Sequence, residues 1–318
     1  MGEFIHQPVL LDECLEGLNI VEDGIYVDGT LGGGGHSVAI AQRLGAAGLL
    51  IGIDRDGESI DAAKKRLEQL KSDSEKNKFS FTLKRDKHEH VKQILDDLSI
   101  PMVNGFLLDL GVSSHQLDTP ERGFSYRYDS PLDMRMDNRA SISAYEVVND
   151  YSEEELIKII FSYGEERYAK RIVKAICKNR PIKTTLQLTT IIADAVPGGH
   201  INMGSAAMRT FQAIRIAVNE ELIDLAQTIE DMTNLLKPKG RICIITFHSL
   251  EDRIVKRSFK QQANPCECPR KIPYCICGKK PRLSIITKKP LISTAQELAS
   301  NPRAHSAKLR IAERLGEI

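Results

Sequence analysis

The chain has 318 residues, 42% of them hydrophobic and 27% charged, with a net charge of +1. This is the composition of a folded globular protein, long enough for one large domain or for one domain carrying an inserted one. It excludes nucleic-acid binding by overall charge, a membrane span, which needs an apolar run of ~18 residues, and a disulfide scaffold, since only seven cysteines are spread over the chain.

The start, Met1 to His6, lacks the basic residues and apolar core of a signal peptide, so a cytoplasmic protein is expected. Residues 6–13 read as a loop and a short helix. Gly24 to Val27 reads as a short buried strand leading into Asp28-Gly29-Thr30-Leu31-Gly32-Gly33-Gly34-Gly35-His36-Ser37, and Val38 to Ala41 opens a helix. Glycines at such a junction let backbone amides approach a ligand that a Cβ would block, and the helix start adds N–H groups and a positive dipole end. Leu49 to Ile53 reads as the next strand and ends in Asp54, about 20 residues past the glycines, where a carboxylate grips ribose hydroxyls. The pattern predicts a nucleoside-cofactor site.

Asp61 to Leu70 has helical spacing, Lys71 to Lys78 reads as a charged loop, Phe79 to Leu83 alternates like a strand, and Val91 to Leu98 reads as an amphipathic helix. Gly105 to Gly111 is a further buried strand, ending at Asp109. Strands ending in Asp28, Asp54 and Asp109 and alternating with helices predict an α/β, doubly wound parallel sheet, with ligands outside the carboxyl ends of the strands.

After Gly111 the rhythm stops. Residues 117–208 read as a helical insertion, with loops at Arg122 to Tyr126 and Pro131 to Asp137, a capping box Ser152-x-x-Glu155, and helices marked by Tyr168, Ile172 and Ile176 and by Ile182 to Val196, closed by Pro197-Gly198-Gly199. The rhythm resumes with one long helix whose buried face is Phe211, Ile214, Val218, Leu222 and Leu225, then a strand at Ile242 to Phe247. His248 to Arg253 caps the next helix, placing His248 and Ser249 on the ligand edge. The expected division is 1–116, 117–208 and 209–318, with a basic Cys-containing loop at 264–290.

From Cys268 to Gln296 there is no acidic residue, against seven basic ones (Arg270, Lys271, Lys279, Lys280, Arg282, Lys288 and Lys289), and Arg303, Lys308, Arg310 and Arg314 follow. A one-signed stretch beside a cofactor domain points to phosphate contacts. Cys266-x-Cys268 and Cys275-x-Cys277 place four thiols within 12 residues. They could hold zinc, but C-x-C is tighter than the usual spacing of paired zinc ligands. With Pro265, Pro269, Pro273 and Gly278, the stretch reads as a turning loop of reduced thiols; no metal is expected, with zinc or redox regulation as alternatives.

Seven motifs together resemble a known family: 27–37, Leu108 to Ser114, Arg122 to Ser125, Pro131 to Asp137, Tyr163 to Arg167, Arg209 to Leu222 and Thr246 to Arg253. In order, and over His6 to Arg314, they are similar to the MraW-type family of small-subunit ribosomal RNA methyltransferases H. The resemblance implies a class I S-adenosylmethionine-dependent methyltransferase fold, Rossmann-like, with an inserted helical domain. It implies methylation of the N4 amine of one cytidine in 16S rRNA near the decoding centre, with the small ribosomal subunit as partner, no membrane, and a monomer or homodimer.

Carried onto this sequence, the cofactor contacts are Gly33, Gly34, Gly35, His36, Ser37, Asp54, His88, Asp109 and Gln116. His88 stands where the family usually has an aromatic residue, Gly204 to Met208 replace a more basic run, and His305 stands where Arg is usual. Asp109 is expected nearest the reaction, holding the methionine end of the cofactor, accepting from the N4 amine, or both. Asp133, Arg135 and His248 are expected to hold the flipped cytosine, with Phe124 and Tyr126 able to stack on it. Arg215, Arg253, Arg303 and Lys308, the basic strip, and Arg167, Lys170, Arg171 and Lys174 are expected on the RNA. Two other readings fit the glycine loop and fold: an NAD-dependent oxidoreductase, and a non-catalytic RNA-binding assembly factor.

Overall fold

The computed structural model describes residues 8–73, 78–198, 203–269 and 274–316. His6, Gly199, Arg270, Lys271 and Pro273 lie outside them. The chain divides into two compact units, one from Met1–Gly111 with Ile223–Ile318, the other from Val112–Leu222.

In the first unit, in chain order, are α1 (Leu11–Leu18), β1 (Ile25–Asp28), α2 (Gly35–Ala41), β2 (Leu49–Asp54), α3 (Gly57–Ser72), β3 (Ser80–Arg85), α4 (Val91–Asp97) and β4 (Val103–Asp109). The second unit contributes α5 (Ser114–Asp118), α6 (Ala144–Asp150), α7 (Glu153–Gly164), α8 (Ala169–Lys178), α9 (Thr185–Ala195) and α10 (Met203–Asn219). The first unit then resumes with α11 (Leu225–Leu235), β5 (Leu236–Thr246), α12 (Ser249–Ala263), β6 (Leu283–Ile285), α13 (Ala295–Ser300) and β7 (Lys308–Arg314).

The sheet order is β3-β2-β1-β4-β5-β7-β6. The first five strands are parallel, and β7 is antiparallel to both β5 and β6. Strands β1, β2, β4 and the second half of β5 are buried on both faces and so carry near-continuous apolar runs, while β3, at the sheet's edge, is only partly buried. One side packs Leu50, Leu107, Cys243, Ile245, Leu309 and Ile311 against α1, α2 and α3. The alternate residues, Ile51, Phe106, Ile242 and Ile244, are also fully buried, and α4, α11 and α12 pack together. Each such side chain removed from water contributes roughly 1.5–3 kcal/mol.

The expectations fail at four places. Helix α3 runs on to Ser72, with Asp56 capping its first turn through the Glu58 N–H, so the loop expected from Lys71 starts later. Strand β5 begins at Leu236, because Pro238-Lys239-Gly240 is a register shift inside the strand, with Lys239 at φ 66°, rather than a break before it. Strands β6 and β7 were not expected: β6 is only three residues long, and β7 is hidden by its charges, with Leu309 and Ile311 core while Arg310 is buried in an ion pair with Asp252, Nε to Oδ1 2.7 Å. Finally, the long helix is two helices, broken after Asn219, with Glu220 at φ 55°.

That break moves the boundary. Phe211, Ile214 and Val218 of α10 pack in the helical core with Leu156, Ile160, Ile172, Ile176, Leu188 and Ile192. The second unit is therefore 112–222 by contact rather than 117–208. Its helix starts are set by reciprocal capping boxes at Ser113/Gln116, Ser143/Glu146, Ser152/Glu155 and Thr184/Gln187. Its buried Glu166 is held by Arg209 of α10, Nε to Oε2 2.7 Å, and by the Tyr168 N–H at 2.8 Å. Among the described residues no helix is long and apolar enough to cross a membrane.

Candidate active site

In the first unit Asp28, Asp54 and Asp109 end β1, β2 and β4, so parallel register sets all three on the carboxyl edge. The chain leaves Asp28 into the glycine loop. Gly34 has φ 78°, and a Cβ on it would lie 2.9 Å from the Ala63 Cβ, so only glycine brings the loop down onto α3. At Gly33 a Cβ would meet nothing nearer than the Arg66 guanidinium, 3.9 Å away. Packing does not demand that glycine, but close approach of a ligand would.

The acids have different jobs. Asp28 is buried; its Oδ2 accepts the Ser37 hydroxyl at 2.7 Å and its Oδ1 the Thr30 N–H at 3.2 Å. Burial pushes its carboxyl up to about 6, although these two hydrogen bonds oppose the rise. Asp28 fastens the loop. The Ser37 hydroxyl, expected on the cofactor, thereby commits its hydrogen to Asp28, which leaves its oxygen and its backbone for that role. Asp54 Oδ2 accepts from the Gly32 N–H at 2.8 Å and Oδ1 from the Asp56 N–H at 2.9 Å. A carboxylate oxygen can accept twice, so Asp54 can both fix the loop and receive ribose hydroxyls.

Asp109 is different. Its N–H donates to Thr30 Oγ1, but its Oδ1 is buried with no hydrogen-bond partner, while 27% of the side chain stays exposed. Burial, then the charges of Asp28 and Glu251, push its carboxyl up to about 8. His36 stands beside it, Nδ1 to Oδ2 3.8 Å, with Nε2 3.0 Å from the Val9 carbonyl. After β3, His88 is buried with its Cβ beside Gly29, and its Nδ1 lies 3.1 Å from Glu89 Oε2. Burial alone would raise Glu89, but His88 and Arg55 hold it down to about 2. His88 Nε2 is likewise buried without a partner. Two orphaned polar atoms, an open glycine and a doubly anchored Asp54 on one edge fit a nucleoside-bearing ligand.

His248, expected among the catalytic groups, is the N-cap of α12. Its Nδ1 accepts from the Glu251 N–H at 3.4 Å, and Glu251 Oε2 accepts from the Phe247 N–H at 2.9 Å. The His-x-x-Glu spacing was the legible signal for this box, and it also brings in Glu251, which went unread. Lys308 pairs across from Thr246 at the same edge, with Nζ 3.9 Å from Asp252. Arg253 and Arg303 are exposed in the same unit.

In the second unit, several expected site residues hold their own fold together. Gln116 is buried and its Oε1 accepts from the Ser113 N–H at 3.0 Å. Phe124 is in the helical core, below the Arg122 guanidinium, and is not placed to stack on a base; Tyr126 meets Phe211 edge-on at 5.9 Å. Asp133 and Arg135 form a two-point pair, 2.9 and 2.7 Å, while Arg135 Nη1 also reaches the Ala140 carbonyl at 2.7 Å. Burial would raise Asp133, but Arg135 brings it below the usual range, so it is a poor proton acceptor. Arg215 spends its fork on Glu221, 2.9 Å at both contacts. By contrast Arg167, Lys170, Arg171 and Lys174 are all exposed, at or on α8.

A doubly wound sheet in this strand order, a glycine loop after β1 and an acid ending β2 define a class I S-adenosylmethionine-dependent methyltransferase. The chain belongs to the MraW methylase family, whose pattern matches residues 3–315. It is 52% identical over 317 residues to the "Ribosomal RNA small subunit methyltransferase H" of Ruminiclostridium cellulolyticum, covering 98% of this chain and 100% of that one. It is 52% identical over 314 residues to the protein of the same name from Halothermothrix orenii, with 98% of each chain covered. A third relative of that name, from Clostridioides difficile, is 50% identical over 317 residues, covering 98% of this chain and 100% of that one. Family membership sets aside the oxidoreductase reading.

Proposed function

We propose that this methylase transfers a methyl group from S-adenosylmethionine to small-subunit ribosomal RNA, and that the acceptor is the N4 amine of one cytidine. The family and its near full-length relatives support the coarser statement. The finer one rests on Asp109 Oδ1, a buried acceptor with no partner at the carboxyl edge, beside the glycine loop.

Bound S-adenosylmethionine supplies an electrophilic methyl group on a sulfonium, so the protein's task is binding and orientation. The loop at Gly33, Gly34 and Gly35 would take the backbone side of the cofactor, Asp54 the ribose hydroxyls, and the His88 ring, with Nε2 available, the adenine. The N4 lone pair of cytosine is delocalised into its ring. Asp109 Oδ1, accepting an N4 hydrogen, would draw the nitrogen toward a pyramidal geometry and fix it in line. His36, held by Val9, limits where the Asp109 carboxyl can turn. Asp133 and Arg135 shape the second unit's 131–140 loop rather than move protons, and the basic residues at α8 take RNA phosphates.

The test is methyl transfer from labelled S-adenosylmethionine to small subunits lacking the modification, with wild type beside Asp109→Ala. N4-methylcytidine after digestion, from wild type alone, supports the proposal. A different modified nucleoside overturns the N4 assignment. Cofactor binding with no transfer favours the assembly-factor reading.

A further inference from the structure

Between α12 and β6, residues 264–282 form a stretch with no helix or strand among the described residues. It buries little apolar surface: Tyr274 is 81% and Ile276 74% exposed. Its base is tied by the Arg282 N–H to the Gln262 carbonyl at 2.9 Å and by Arg282 to Glu230 and Asn234, both at 2.8 Å. Lys279 crosses to Glu267 at 2.6 Å. The described residues of the segment add no cluster to the hydrophobic core, and loops this long without secondary structure need another source of order.

The thiols supply a candidate. The Sγ atoms of Cys266, Cys268, Cys275 and Cys277 all lie within 4.8 Å of one another. The close pairs are Cys275–Cys277 at 3.4 Å, Cys266–Cys275 at 3.6 Å and Cys268–Cys275 at 3.8 Å. A bonded disulfide requires about 2.05 Å, and Cys275 cannot be bonded to three partners. Four thiolates at about 2.3 Å around a tetrahedral zinc stand about 3.8 Å apart; the three close pairs span 3.4–3.8 Å, and all the pairs lie within 4.8 Å. The Ile276 N–H points to Cys268 Sγ at 3.3 Å, the kind of backbone donor that offsets charge on a metal-bound thiolate. The short C-x-C spacing argues against zinc only if each pair must reach around the ion alone; here the two pairs come together and complete the set.

We propose that Cys266, Cys268, Cys275 and Cys277 form a structural zinc site that orders this basic loop. Binding is Zn²⁺ plus four thiols giving a tetrathiolate of charge −2 and four released protons, with no redox change. All four positions are filled by protein, so the ion has no open place for substrate and holds shape only. The metal does for this loop what a buried core does elsewhere, and Lys279 and Lys280 are presented on it. The sequence expectation of no metal is thereby replaced.

The full-length chain, purified under reductant without chelator, should carry about one equivalent of zinc by elemental analysis. Cys268→Ser and Cys275→Ser should lose it, and Cys177→Ser, in the helical unit, should keep it. Stripped wild type titrated with Co²⁺ should show the intense sulfur-to-cobalt charge transfer and tetrahedral ligand-field bands of a four-thiolate site, bleached by one equivalent of Zn²⁺. This reading needs no variant to fold. Cobalt bands of a site with fewer sulfurs, a coloured iron–thiolate in the isolated protein, no uptake of either ion, or recovery of these cysteines as disulfides after alkylation in intact cells would each overturn the proposal.

Discussion

His36 and Asp109 face each other with Nδ1 3.8 Å from Oδ2, while His36 Nε2 is turned to the Val9 carbonyl. A carbonyl only accepts, so Nε2 carries a proton, and Nδ1 is the nitrogen turned to Asp109. Burial, then the charges of Asp28 and Glu251, push the Asp109 carboxyl up to about 8.

The first prediction follows from that sign. A carboxyl whose folded-state value lies above its unfolded one binds more protons when folded. Without ligand, Asp109 therefore costs nothing below about pH 4, destabilises progressively between about pH 4 and 8, and has a constant cost above, on the order of 5 kcal/mol at most. Asp109→Asn should raise the melting temperature at pH 9, by less at pH 6, and not at all at pH 3.5, while lowering methyl transfer by about 100-fold or more. A melting difference that does not change with pH would remove the buried-acid account.

Asp54 fixes the loop through the Gly32 and Asp56 N–H groups. Asp54→Ala removes both acceptors and the proposed ribose contact together. Calorimetric titration with S-adenosylmethionine should show at least about a tenfold weaker Kd, since a hydrogen bond to a charged group contributes about 1.5–3 kcal/mol. Unchanged affinity would place the ribose elsewhere.

The parallel sheet was legible because strands buried on both faces are apolar runs, and because β1, β2 and β4 each run into an acid at the end. The loss of β7 from that reading has a physical cause: Arg310 is carried into the core by Asp252, so a buried strand looked like a basic surface. The same cause explains the site residues that moved. Arg135 and Arg215 are expected at the substrate from the family's motifs, and His248 also from its place after a strand end, but each has a carboxylate partner at Asp133, Glu221 or Glu251. The Arg215–Glu221 pairing is decided by the fold and leaves no mark in spacing, whereas the His248–Glu251 pairing is marked by its His-x-x-Glu spacing. Asp109 and Asp54 were legible because strand ends, not partners, define them.

The helical unit depends on a buried ion pair. Glu166 has no exposed surface, and Arg209 of α10 answers it. Arg209→Met strands the carboxylate and should cost about 3 kcal/mol in denaturant unfolding of the chain. Glu166→Gln together with Arg209→Met should recover much of that loss. A single-variant loss under about 1 kcal/mol would show that apolar packing alone holds α10, within the range of ordinary surface changes.

The face at α8 makes the RNA prediction quantitative. Arg167, Lys170, Arg171 and Lys174 are exposed, and the Arg167 guanidinium lies 4.7 Å from the Tyr168 ring centroid. Each phosphate contact by one of them releases a counterion, which contributes about 0.7 to the slope of log affinity against log salt for single-stranded RNA. Arg171→Ala with Lys174→Ala should therefore flatten that slope by about 1.4 and weaken RNA binding most at low salt. S-adenosylmethionine affinity should stay unchanged, because neither residue belongs to the unit that carries the glycine loop. An unaltered slope would mean that α8 faces solvent in the complex, and that the phosphates are met by Arg303, Lys308 and the loop carrying Lys279 and Lys280. The same double substitution made in the loop, Lys279→Ala with Lys280→Ala, would then carry the change in slope.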